Sequence, residues 1–569
     1  MLEDDSTNVD VTNNDGNENK DGLLAPVGPL VLVRLPNGIP LAPPYQRLLD
    51  YFARDVLASL SVHPAIHHDL AQGLVPAMLH APHLLSAGLA LAATGLASRG
   101  LSDVGGVGLP RLMQHLQTSG LALLRQALEK NNSVSRSSRA RTNSHDDSAR
   151  GESNLVATCL LWCLADVFAA DASLSSSSSP TSSTSSSSAV ASSSSWRIHL
   201  RGIEALLGGA RALDAFVTQG RGDPTSSSSS RSAMGHLHQL YRSLLTLPHV
   251  AQRRQVGVMD KSMTVEAARV TTGSKGDNGD FVSATTVNCA TLNAADLTAP
   301  QSTTAGLPRI DGFLGYSEEL LDILQQVEEI ACMLPPFSHK DSDHSDDYDD
   351  TLAAPHLTSA TRIAANDLLA RAHAQAIALD DYPPSSTSTS TSTSTSTSTS
   401  TSTSTSNSNA INATTSSRAE PTRRTSPRVV HIPAPALTPA ATREFALCHG
   451  CFQQATLIHV YRRLFRLPSR APRIQQAVTQ IRHMAGQMTQ GAPCSAWVAM
   501  ALPLFTAGCE AYTPTAQAWA HAALAAFAAS IGSRHVQLLH RALEDIWRLR
   551  ARRGCIDGRL CAGPLLGKS

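Results

Sequence analysis

A charge excess of either sign is missing from this 569-residue chain, whose 46 Lys and Arg are matched by 46 Asp and Glu. A balanced chain has no whole-molecule field to draw it onto nucleic acid or an anionic membrane. Charged residues amount to only 16% and aromatics to 4%, the former below the usual ~25%. Ser, Thr, Ala, Gly and Pro take their place over long stretches. Disordered inserts within a Leu- and Ala-rich framework are therefore expected.

Cysteine is sparse as well: ten residues over this length do not make a disulfide framework, and none precedes Cys159. Cys159, Cys163 and Cys509 fall in apolar helical runs and read as buried, reduced thiols of an intracellular protein. Long hydrophobic runs are also absent. Leu84 to Ala97, Leu155 to Ala165 and Ala496 to Gly508 stop short of the roughly 20 residues that cross a bilayer, so no membrane association is expected. Met1 to Asp21 has neither the basic start nor the apolar core of a secretory signal. No GxSxG, HExxH or GxGxxG pattern occurs, and nothing argues for an enzyme.

What is there is helical periodicity. Tyr45 to Leu60 places Leu48, Leu49, Phe52, Val56 and Leu60 at helical spacing behind Pro43 and Pro44. Pro82 to Ala97 is apolar on nearly every face, as a helix in the middle of a bundle must be. Leu109 to Glu129 and Leu155 to Phe168 follow, the second joined through a serine tract to Trp196 to Gly208. Tyr316 to Leu334 has Ser317 as N-cap and Glu318 and Glu319 at the positive end of the helix dipole. Ser359 to Leu379 is a further Ala-rich helix. Pro439 to Arg553 is helical throughout, with Thr513-Pro514 and Ser533 opening its last two helices.

No run of alternating strands is evident, so the expected class is all-α, a bundle or superhelical array interrupted by long Ser/Thr-rich inserts. The expected organisation is an acidic tail over 1–25, a helical domain over 43–553 and a flexible tail over 554–569. Inserts are expected at 131–153, 172–195, 221–232, 253–307, 338–351 and 383–428.

Four clusters carry residue types suited to chemistry or recognition. Cys448, His449 and Cys451, with His459 beyond them, offer a CxxC without the second ligand pair of a structural zinc site, and packing is their expected role. His63, His67, His68 and Asp69 are richer in donors, yet Pro64 makes His63 a helix cap. No metal site and no cofactor follow from the sequence. The acidic run Asp341 to Asp350 lacks the glycine and terminal glutamate of a calcium loop. Arg418, Arg423, Arg424 and Arg428, beside Pro421 and Pro427, read either as a nuclear import signal or as a solubilising linker.

Several phrases carry a family resemblance. They are Leu48-Leu49-Asp50-Tyr51-Phe52, His199-Leu200-Arg201-Gly202 with Leu206-Leu207, and Tyr316-Ser317-Glu318-Glu319-Leu320-Leu321. Leu457-Ile458-His459-Val460-Tyr461-Arg462-Arg463, Pro493-Cys494-Ser495-Ala496-Trp497 and Pro503-Leu504-Phe505-Thr506-Ala507-Gly508-Cys509-Glu510 complete the set. Together, in this order, they resemble the fungal-specific transcription factor domain that accompanies the DNA-binding module of zinc-cluster regulators. The resemblance implies a nuclear regulator of RNA polymerase II transcription, working with other regulators or as a homodimer, with a small-molecule effector as a further candidate partner. Trp497, Phe505, Gly508 and Cys509 are expected to pack in the core. His199, Arg201, His459, Tyr461 and Arg462 have polar ends suited to helix caps or a cavity wall. The six closely spaced cysteines of the family's DNA reader are not in this sequence, so autonomous sequence-specific DNA binding is not expected. Either an N-terminal segment is missing from the gene model or the chain acts through another protein. A helical scaffold without a transcriptional role is the alternative.

Overall fold

A computed structural model describes residues 41–137, 145–169, 195–206, 229–245, 308–334, 356–378, 427–532 and 534–552. Helix α1 is Pro43–Tyr51, α2 Pro64–His80 and α3 Pro82–Ser98. Strands β1, Asp103–Val104, and β2, Val107–Gly108, make a small antiparallel hairpin before α4, Leu109–Ser137. Next come α5 (His145–Ala169), α6 (Ser195–Leu206), α7 (Ser229–Leu245), β3 (Arg309–Asp311), α8 (Glu318–Met333) and α9 (Ser359–Ala374). The chain ends with β4 (Arg428–Val430), α10 (Pro439–His459), α11 (Pro472–Ala485), α12 (Ala501–Glu510), α13 (Pro514–Ile531) and α14 (Arg534–Arg552). The described fold is all-α, with two minor ladders.

Two helices are central: α3, which is apolar on nearly every face, and α10, which buries polar side chains along with its apolar ones. Every residue of α3 from Leu84 to Leu96 is buried, and α1, α2, α4 and α5 surround it. Full burial of each leucine in that run contributes about 1.5–3 kcal/mol, and the intervening Ala and Gly let neighbouring helices come close. One close approach is at Gly120 of α4, where an added Cβ would lie 2.7 Å from Trp162 Cζ2 and 2.8 Å from Ser86 Cβ. The second central helix, α10, buries almost every residue from Phe445 to Ile458 and packs against α8, α9, α11 and α12. One continuous hydrophobic core runs from Leu41 to Ile546 and includes both.

Helix starts follow the sequence chemistry. His63 is the N-cap of α2, its Nδ1 accepting from the Ala65 amide at 3.1 Å, with Pro64 as first helical residue. Ser317, Thr358, Thr438 and Thr513 cap α8, α9, α10 and α13 through their side-chain oxygens.

Four expectations need correction. The linker expected at 131–153 is shorter, since α4 continues to Ser137 and α5 begins at His145. Likewise α7 begins at Ser229, inside the insert expected at 221–232. Arg428 is not in a flexible stretch: it opens β4, which pairs in parallel with β3 in the register Arg309 to Arg428. That three-residue pairing carries too little alternation to be read from sequence. Finally, Gly151–Ala169 of α5 does reach the length and hydropathy of a membrane span, but 67% of it is buried. Its apolar surface is taken up by α3, α6 and α7. The remaining insert and tail assignments, at 1–25, 172–194, 253–307, 338–351, 383–426 and 554–569, lie outside the described residues.

Candidate functional site

Three of the motif residues, His459, Tyr461 and Arg462, lie together where α10 ends. After His459 the helix widens into a π-turn over Val460–Leu464, an irregularity that re-phases side chains and recurs at functional sites. Tyr461, Arg462 and Arg463 leave this turn toward three different helices. The Tyr461 hydroxyl lies 3.3 Å from His373 Nε2 of α9, and Arg463 pairs with Glu328 of α8.

Arg462 turns inward to α12. Its Nε donates to Glu510 Oε1 at 3.0 Å, and Nη1 donates to the Leu467 carbonyl. The other carboxylate oxygen of Glu510 accepts from Ser469 Oγ at 2.5 Å, and Ser469 Oγ in turn accepts from Arg550 of α14 at 3.3 Å. Both side chains of the Arg462–Glu510 pair are only 4% exposed. One turn earlier, His459 Nε2 meets Thr506 Oγ1 of α12 at 3.2 Å, and burial pushes its pKa down to about 4.

The Cys448-His449-Cys451 segment lies at the middle of α10. His449 Nδ1 accepts from the Ser317 amide at 3.2 Å, while Nε2 lies 2.8 Å from the Gln375 carbonyl. A backbone amide only donates and a carbonyl only accepts, so His449 is neutral with its proton on Nε2. Burial pushes its pKa down to about 4. Gln453, one turn on, donates to the Ala372 carbonyl at 3.0 Å. These side chains join α10 to the start of α8 and the end of α9, using both ring nitrogens of His449 in the process. Burial raises the thiol pKa of Cys448 and Cys451, and it raises Cys159 to about 11 and Cys163 to about 12. All described cysteines are free thiols. Protonated thiols of this kind are poor nucleophiles and poor ligands.

The remaining motif positions are packing elements or partners of nearby helices. Trp497 is fully buried and meets Phe527 edge-on, while Phe505 and Cys509 are core residues of α12. At Gly508 an added Cβ would lie 2.6 Å from Leu543 Cδ1, and its carbonyl accepts from Trp547 Nε1 at 3.0 Å. Thus Gly508 sets how closely α14 packs on α12. His199 of α6 lies 3.2 Å from Asp166 of α5 and belongs to a separate helix pair, as does half-buried Gly202. The Arg201 side chain and Arg418, Arg423 and Arg424 lie outside the described residues, whereas Arg428 is exposed on β4.

A second polar cluster closes the β3–β4 ladder and was not singled out from sequence. Asp311 is 2% exposed, and its Oδ1 accepts from the Phe313 and Leu314 amides at 2.8 and 2.9 Å. His431, in the left-handed region with φ 72°, approaches its Oδ2 at 3.4 Å. Burial raises the Asp311 pKa, and His431 lowers it. His236 of α7 stacks on Phe313 and lies 3.7 Å from Asp69 of α2. Nothing in the local sequence marks Asp311, His431 or His236 as partners, since they come from separate elements.

As the side chains stand, no three His, Cys, Asp or Glu residues among those described are arranged to hold a metal ion. The polar groups of the α10 junction spend their hydrogen bonds on one another and on helix ends. In comparison with known families, residues 47–558 match the fungal specific transcription factor domain. The chain belongs to this family. It is a fungal transcription regulator, of a nuclear class of proteins that is not an enzyme family. No curated protein and no solved structure matches it. Within this fungal transcription factor domain, the α10 junction joins the elements carrying the two C-terminal motif phrases to α8 and α9.

Proposed function

We propose that this chain is the regulatory, effector-responsive part of a nuclear regulator of RNA polymerase II transcription. It acts through partner regulators, through a second copy of itself, or through a zinc-cluster module not contained in this sequence. The family match over residues 47–558 carries this reading. The α10 junction supports it physically: helices α8, α9 and α12 are all held to one π-turn, so a shift of that turn reaches several helices at once. Arg418, Arg423, Arg424 and Arg428 supply the import signal under this proposal.

The test is to fuse the chain to a heterologous DNA-binding module and measure a reporter bearing its operator. Altered reporter output, lost when the α10 junction is disrupted, is the expected result. A tagged chain should accumulate in nuclei, less so after Arg423→Ala with Arg424→Ala. An inert fusion in a strictly cytosolic protein would favour a scaffold instead.

A further inference from the structure

We propose that Asp311 and His431 form a pH-sensitive clasp: a proton held between them keeps β4 on β3 and the start of α8 in place, and its loss frees both. The clasp goes beyond the transcriptional reading and does not depend on it.

Strands β3 and β4 are distant in sequence and share three register pairs, Arg309 with Arg428, Ile310 with Val429 and Asp311 with Val430. So short a two-stranded ladder is marginal by itself and depends on its side chains. Ile310, Val429 and Ile432 are buried around it, which keeps water from the Asp311 carboxylate. At Gly312 an added Cβ would lie 2.7 Å from the Val430 carbonyl oxygen, so β4 sits directly on the turn that follows β3. That turn is closed by the Asp311 amide, which donates to the Tyr316 carbonyl at 3.0 Å, and it leads straight into Ser317, the N-cap of α8. Opening the ladder therefore releases the entry to α8.

The two carboxylate oxygens of Asp311 are in different settings. Oδ1 accepts from the Phe313 and Leu314 amides. Oδ2 is buried, makes no hydrogen bond among the described residues, and faces His431 Nε2 at 3.4 Å. A buried carboxylate with one oxygen unsatisfied is costly as an anion unless a cation stands beside it. Protonated His431 is that cation. It holds its place in the left-handed backbone region, where few residues besides Gly, Asn and Asp sit readily, and strain of this kind persists where a side chain is needed in position.

The other groups around the pair come from three helices. His236 of α7 lies edge-on to His431 with centroids 6.0 Å apart and faces Asp69 of α2 at 3.7 Å. Glu318 of α8 adds negative charge near Asp311, and is itself met by Arg242 at 3.9 Å and by Gln239. Tyr316 and Cys448 are buried with raised pKa values and stay uncharged. Burial raises the Asp311 pKa, against His431 and the two amides. The closed clasp thus holds its proton to higher pH than the open chain, as a property of the pair. Closure is favoured at low pH and is lost as pH rises beyond the ordinary histidine value of about 6.5. His449, which accepts from the Ser317 amide, responds in the opposite sense because its pKa is lowered, so the readout must be local.

Hydrogen exchange of the full chain between about pH 6 and 8.5, read by mass spectrometry on peptides covering 308–317 and 427–432 and corrected for intrinsic exchange, measures the opening. In the wild type the opening constant should rise with pH by up to about 10-fold per unit. Asp311→Asn and His431→Asn should abolish that rise, whereas His236→Gln should keep it and a peptide from α3 should show none. Asn is accepted in the left-handed region, so His431→Asn removes the imidazole without adding strain and decides the matter if Asp311→Asn fails to fold. Opening independent of pH in the wild type would overturn the clasp. A rise that survives His431→Asn would do so too, and its loss in His236→Gln instead would move the effect to the His236–Asp69 pair.

Discussion

Arg462 and Glu510, 48 residues apart in sequence, meet at 3.0 Å inside the core, each with 4% of its side chain exposed. Moving either charge out of water costs several kcal/mol, which the pair offsets only while both partners are present. Further bonds, from Arg462 to the Leu467 carbonyl and from Ser469 to Glu510, hold the two groups in place. Arg462→Met or Glu510→Met alone should therefore destabilise the chain by about 3–5 kcal/mol, and the Arg462→Met/Glu510→Met double variant by less than the sum. Urea unfolding of the four proteins measures the coupling. Single variants costing under about 1 kcal/mol would show that water reaches the pair.

How much of this was legible depended on whether the signal was local. The central position of α3 follows from thirteen successive residues, Leu84 to Leu96, with no charge among them. The caps at His63, Ser317 and Thr513 likewise rest on two or three neighbouring residues. Glu510 was part of a motif phrase but had no role, because its partner comes from another helix. The same holds for Asp311 with His431. The extension of α4 past Glu129 runs through Asn131, Asn132 and Ser133, poor helix formers that mark a helix end in the sequence.

Gly120 sits where α4 crosses close to α3 and α5. A methyl group there would press on the rigid Trp162 ring and on Ser86 Cβ rather than on the end of a flexible side chain. Gly120→Ala gains helix propensity of about 1 kcal/mol, but overpacking costs about 1–3 kcal/mol. The net effect should be destabilising, and Gly120→Val more so. Thermal melts check this. An unchanged or higher melting temperature for Gly120→Ala would mean that α4 can back away from α3 and α5.

Acid should loosen the α10 junction. His449 and His459 have folded-state pKa values of about 4, lowered from 6.5 by burial. As pH falls below about 6.5 the unfolded chain takes up their protons while the folded chain does not. The stability they confer is fully present above pH 6.5 and is lost progressively toward pH 4. Denaturant unfolding between pH 7 and 4.5 should show this decline, and His449→Gln should make it shallower by about one proton. An equal slope in wild type and His449→Gln would show that the ring is not buried neutral.

This chain alone should not read a DNA sequence. Direct readout needs an element that enters a groove, and phosphate contacts need concentrated positive charge to displace counterions. The balance of 46 basic against 46 acidic residues gives no overall excess. Several described arginines are already committed to carboxylates: Arg371 to Glu319, Arg462 to Glu510, Arg463 to Glu328 and Arg548 to Asp545. The most basic helix end, at Arg548 and Arg550 on α14, is not mounted on a recognition scaffold, since Arg550 bonds to Ser469 within the fold. Gel shifts with the purified chain should therefore be weak and salt-sensitive, with Kd no tighter than about 10⁻⁶ M at physiological salt. Addition of a partner regulator, or fusion to a zinc-cluster module, should restore sequence discrimination. A nanomolar complex formed by the chain alone, distinguishing one promoter sequence from its scrambled counterpart, would place a reading element within these residues and require a different account of how the family's DNA contact is made.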